Sequence, residues 1–85
     1  MSEAEILKQL KGIFIDVLDN ENIVLKHETV AEDVQEWDSL THILLIGSVE
    51  KHFKIKFTAA EVQGLRNVGH LCDGIQRKLA HESKP

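Results

Sequence analysis

Apolar residues at Ile6, Leu7, Leu10, Ile13, Phe14, Val17 and Leu18 recur at three- and four-residue intervals, the repeat of a helix that hides one face. Ser2 followed by Glu5 forms a capping box ahead of them, so the pattern predicts a first helix. It stops at Asp19-Asn20-Glu21-Asn22, residues that favour turns and caps. From there to Asp38 the apolar positions thin out to Ile23, Leu25, Val30, Val34 and Trp37, with no sustained period. This stretch reads as a long tethered loop, and long loops in compact domains are usually functional.

Asp38 can cap a second helix running to about Phe53, ahead of Lys54-Ile55-Lys56-Phe57. Stepping about 100° per residue places Ile43, Leu45, Ile46, Val49 and Phe53 on a core face. Leu40, Leu44, Gly47 and Lys51 fall on the opposite face. Thr58 and Glu61 form another capping box before a short helix that contains Val62 and ends near Gly64 and Leu65. Asn67 can cap a last helix, whose face is Val68, Leu71, Cys72, Ile75 and Leu79. The tail beyond Ala80 is polar, and residues 81–85 are expected to fray. The fold expected is all-α: a small four-helix bundle, three main helices and one short one, with a long loop between the first two.

Composition narrows this further. A chain of 85 residues supports a single domain, 1–85, and leaves no room for a cleft between two domains. Five glycines, one proline and no tyrosine supply too few turns for a sandwich of short strands. A formal charge of -4, with basic residues scattered among acids, argues against nucleic acid as a partner. Cys72 is the single cysteine, which excludes an internal disulfide and a thiolate cluster; its helical spacing reads as a small apolar core residue. His27, His52, His70 and His81 lack ligand spacing, so no metal site is proposed. No apolar run approaches membrane-spanning length and the start lacks the order of a signal peptide, so a cytoplasmic protein without membrane insertion is expected, monomeric by default.

The segment Glu36-Trp37-Asp38-Ser39-Leu40-Thr41-His42-Ile43 resembles the attachment site of acyl carrier proteins, whose signature is Asp-Ser-Leu at the start of the second helix. The likeness continues through Glu50-Lys51-His52-Phe53-Lys54-Ile55-Lys56-Phe57 and on through Glu61, Leu65, Asn67-Val68-Gly69 and Leu71, nearly the whole chain. The resemblance implies a 4'-phosphopantetheine arm on Ser39, installed by a separate phosphopantetheinyl transferase, with Asp38 helping to hold the Mg²⁺ of that transfer. The arm's thiol, and not Cys72, would then carry an acyl group as a thioester between acyl ligases, synthases or transferases. The chemistry suits the place, because a serine in a first helical turn is exposed and an attached phosphodiester faces free N–H groups. The simplest alternative for Asp38-Ser39 is an ordinary cap beside a solvated serine.

The same resemblance makes His42, Ile43, Ile46, Phe53, Leu65, Val68 and Leu71 the walls of an acyl pocket, and the outward stripe of Leu40, Leu44, Gly47 and Lys51 the partner-docking face. Family carriers of bulk fatty acid synthesis resemble strongly acidic proteins along this helix. Here Glu50 is the one carboxylate in it after Ser39, offset by Lys51, so docking should depend less on charge. Leu44 reads either as part of that face or as packed on the loop. His42 reads chiefly as a half-exposed imidazole wetted by solvent, with the mouth of the pocket, suited to polar cargo, as the other reading. A Ser-His-Asp triad on Ser39 is excluded because sequence neighbours on a helix do not face each other, and no catalytic residue is assigned. The expected role is a discrete carrier in fatty acid biosynthesis, polyketide or specialised lipid metabolism. The alternatives are a carrier of aminoacyl cargo and an interaction module with no prosthetic group.

Overall fold

The computed structural model describes residues 2–82, with side chains through Ala80. Its helices are α1 (Glu3–Leu18), α2 (Ser39–Phe53), α3 (Ala59–Gln63) and α4 (Val68–Glu82), giving the all-α bundle expected. No helix among the described residues is long and apolar enough to cross a membrane.

Each helix begins where a side chain can satisfy its free N–H groups. Ser2 and Glu5 cap α1 reciprocally, Asp38 and Thr41 cap α2, and Thr58 and Glu61 cap α3. The Asn67 side chain accepts from the His70 N–H at 3.1 Å at the start of α4. α1 and α2 end on Asp19 and Lys54, both in the left-handed conformation with φ of 53° and 59°. α4 continues through Glu82, beyond the point where the sequence suggested fraying; the rest of that tail, 83–85, lies outside the described residues.

α1 packs on α2 and α4. Ile6, Leu10 and Phe14 of α1 meet Leu45, Ile46 and Val49 of α2 and Val68, Leu71, Cys72 and Ile75 of α4 in one buried cluster. Burial pushes the Cys72 thiol up to about 11, in keeping with its reading as a core residue. α3 contributes no fully buried residue and lies on the outside of this core.

The long connection between α1 and α2 is more ordered than its sequence suggests. It contains a 3-10 turn at Ala31–Asp33 and an isolated antiparallel bridge between Val30 and Asn67. The Val68 N–H donates to the Thr29 carbonyl at 2.8 Å, and the Ala31 N–H donates to the Arg66 carbonyl at 3.0 Å. These bonds fix the loop against the start of α4, and Ile23, Leu25, Val34 and Trp37 bury their side chains beneath it. At Gly69 a Cβ would lie 2.9 Å from the His27 carbonyl oxygen, so the loop approaches α4 where only glycine fits without a shift.

Candidate functional site

Ser39 is the first residue of α2, and the geometry before it leaves its hydroxyl available. The Asp38 side chain accepts from the Thr41 N–H at 2.9 Å, while the Asp38 N–H donates to the Thr41 hydroxyl at 2.8 Å. The Thr41 hydroxyl shares its proton between the Glu36 carbonyl at 2.7 Å and the Asp38 carboxylate at 3.1 Å. The Thr41 N–H, followed by its hydroxyl and the Leu40 N–H, holds the Asp38 carboxyl below its ordinary value of 3.8. Capping thus falls to Asp38 and Thr41. Ser39 is exposed, and among the described residues its hydroxyl makes no hydrogen bond.

Two cavities flank Ser39. A cleft of about 640 Å³ between α2 and α3 is lined by Ser39, His42, Ile43, Ala59, Val62, Gln63 and Arg66. A hollow of about 310 Å³ on the loop side is lined by Ala31, Glu32, Val34, Gln35, Trp37, Asp38, Ser39 and Arg66. Ser39 and Arg66 belong to both, so a basic residue lines each cavity that meets the serine.

Beneath this surface Trp37 and His42 form a buried pair. Trp37 is 3% exposed and packs edge-on against Phe14, with ring centroids 4.9 Å apart. Its indole N–H donates to His42 Nδ1 at 3.0 Å, and His42 Nε2 lies 2.8 Å from the Val62 carbonyl oxygen. The tautomer follows from these partners: Nδ1 accepts and Nε2 carries the proton donated to Val62.

Two sequence expectations change here. His42 is 5% exposed, so it is a core residue and not a solvated one. Ile43, expected on the core face, is 64% exposed. The buried face is His42, Leu45, Ile46, Val49 and Phe53, a regular helical stripe once the histidine is admitted to it. Hydrophobicity alone favoured Ile43, because the imidazole's two buried partners are invisible in the local sequence.

The expected acyl-pocket residues separate into two groups. His42 and Ile43 line the cleft beside Ser39, whereas Ile46, Phe53, Leu65, Val68 and Leu71 are buried in the core and do not line it. Leu40, Leu44, Gly47 and Lys51 are all exposed, and Leu44, at 52% exposure, is not covered by the loop. Ile43 joins Leu40 and Leu44 to give an exposed apolar stripe that begins next to Ser39. Among the described residues no cluster of side chains suits a metal ion. Arg66, Gln63 and Ala59 were not singled out from sequence; they lie far from Ser39 along the chain, and only folding brings them to it. Trp37 stood next to the motif but read only as a loop anchor.

No protein-family model matches the chain. No curated protein matches it either. Among solved structures, the solution NMR structure of a holo acyl carrier protein from Geobacter metallireducens is 50% identical, with a TM-score of 0.83 over 89% of this chain and 87% of that one. With half of its residues shared over almost the full length of both chains, and the same helical bundle formed, this chain belongs to the acyl carrier protein family.

Proposed function

We propose that this protein carries acyl groups as thioesters on a 4'-phosphopantetheine arm attached to Ser39. The observation that carries the reading is the exposed hydroxyl at the first position of α2, which takes no part in the cap built by its neighbours. The residues around it fit a phosphodiester: Arg66 borders both cavities that meet Ser39, and the start of α2 favours an anion. Asp38, ionised and exposed, stands beside the hydroxyl where the Mg²⁺ of a transferase reaction can be shared.

Attachment forms the bond from Ser39 Oγ to phosphorus, breaks the phosphoanhydride that joins the arm to the nucleotide half of coenzyme A, and releases the hydroxyl proton. Once in place, the arm supplies a terminal thiol on which an acyl thioester is held. The protein's own residues supply position: α2 presents the arm, and the stripe of Leu40, Ile43 and Leu44, continued by Gly47 and Lys51, docks partner enzymes. Those partners are a phosphopantetheinyl transferase and then ligases, synthases or transferases of a fatty acid, polyketide or specialised lipid pathway.

The test is incubation with a broad-specificity phosphopantetheinyl transferase, coenzyme A and Mg²⁺, followed by intact mass. One arm is expected on the wild type and none on Ser39→Ala, with melting curves unchanged because the serine hydroxyl holds no bond in the fold. A folded wild type that gains no mass would instead favour an interaction module without a prosthetic group.

A further inference from the structure

We propose that His42 is the floor of the cleft beside Ser39 and keeps a carried acyl chain out of the helical core, so that the chain lies at the surface between α2 and α3. This inference rests on the carrier reading above. Exposure falls with depth along the cleft: Ser39, Ile43, Ala59, Gln63 and Arg66 are exposed, Val62 is half-buried, and His42 is buried. Cavities of about 150 Å³ already admit benzene, so a cleft of about 640 Å³ has room for an alkyl chain along Ile43 and Val62.

The floor is closed in two ways. Both ring nitrogens of His42 are occupied, one by the Trp37 indole and one by the Val62 carbonyl, so the ring ties the loop, α2 and α3 together. Displacing it would strand the Trp37 N–H and the imidazole N–H in the interior, a costly loss for buried donors. Behind the ring, Trp37, Phe14, Leu45 and Ile46 are packed at 4% exposure or less. The occupied nitrogens also remove the case for polar cargo at this position, since no donor or acceptor remains to greet it.

α3 is the wall that would have to move for a chain to enter. It is five residues long with no fully buried side chain, and it is held by the His42 bond to Val62, by the packing of half-buried Val62 against the core and by the partly exposed Lys78–Glu61 pair at 3.1 Å. The bond to Val62, more than the bulk of the ring, is therefore what keeps the core shut.

The experiment charges wild type, His42→Asn and His42→Gln with butyryl, octanoyl or dodecanoyl arms from the matching coenzyme A thioesters and confirms charging by intact mass. Two properties are read: thioester lifetime in neutral hydroxylamine, and the NMR signal of the Trp37 indole N–H. For the wild type, lifetimes are expected to agree within about twofold across the three chains, with the indole signal unmoved. Asn places an acceptor near the Nδ1 position but cannot reach Val62, so dodecanoyl should gain about fivefold or more in lifetime as the core opens. Gln places a donor near the Nε2 position and should keep the wild-type lifetimes, although its indole signal shifts because the Nδ1 acceptor of the Trp37 N–H is gone; a role in packing alone would give the two variants the same lifetimes and overturn the proposal. A wild type whose dodecanoyl lifetime exceeds that of butyryl by about tenfold, or whose indole signal moves with chain length, overturns it as well. If His42→Asn does not fold, the wild-type chain series decides. Absence of any added mass would remove the carrier reading itself, whereas normal charging with a length-dependent lifetime would remove only this inference.

Discussion

At the start of α2 two adjacent residues divide the work. Asp38 caps the helix and Ser39 does not, so the proposed modification of the serine would cost the fold no hydrogen bond. The Asp38 carboxyl is held below its ordinary 3.8 in the folded state, chiefly by the Thr41 N–H. A depressed carboxyl contributes stability that is fully present above the unfolded value and is lost as pH falls through the folded one. The melting temperature of the wild type is therefore expected to drop on acidification below about pH 4, and Asp38→Asn, which can still cap but cannot ionise, to show a shallower drop. Equal slopes for the two proteins would remove Asp38 from the account. The residue-scale surprise is His42: the motif pointed to Asp38 and Ser39 directly, but a histidine whose partners are a tryptophan side chain and a carbonyl on α3 has no local signature.

The helices themselves were legible because their caps are local. Ser2 with Glu5, Asp38 with Thr41 and Thr58 with Glu61 each act within a few residues, and each coincides with the observed start. The loop was less so, since the bonds that order it join Thr29 and Ala31 to Val68 and Arg66, which are distant in sequence. The end of α2 leaves a testable strain. Lys54 adopts φ of 59°, and the Ile55 N–H reaches back to the Glu50 carbonyl at 3.0 Å, a helix ending that favours glycine at the left-handed position. Lys54→Gly is expected to stabilise the fold by up to about 1 kcal/mol in urea titration, the strain relieved being partly offset by the freer unfolded chain. A loss of stability would show that the Lys54 side chain does more at this position than the backbone geometry implies.

On the scale of the whole molecule, a net charge of -4 is modest and the proposed docking face beside Ser39 is largely apolar. Recognition through Leu40, Ile43 and Leu44 should be weakly screened by salt. The KM of a phosphopantetheinyl transferase for this protein is expected to change by less than about threefold between low and physiological ionic strength; a rise of tenfold or more would mean that charge controls the encounter. The central claim is narrower: an acyl thioester rides on an arm at Ser39. Its most direct measurement is tandem mass spectrometry of a proteolytic peptide spanning Ser39, taken after charging with an acyl coenzyme A and again after hydroxylamine. The expected result is an acyl-arm mass localised to Ser39 that falls to the bare arm on treatment. An unmodified Ser39 peptide, or a mass localised elsewhere, would contradict the account.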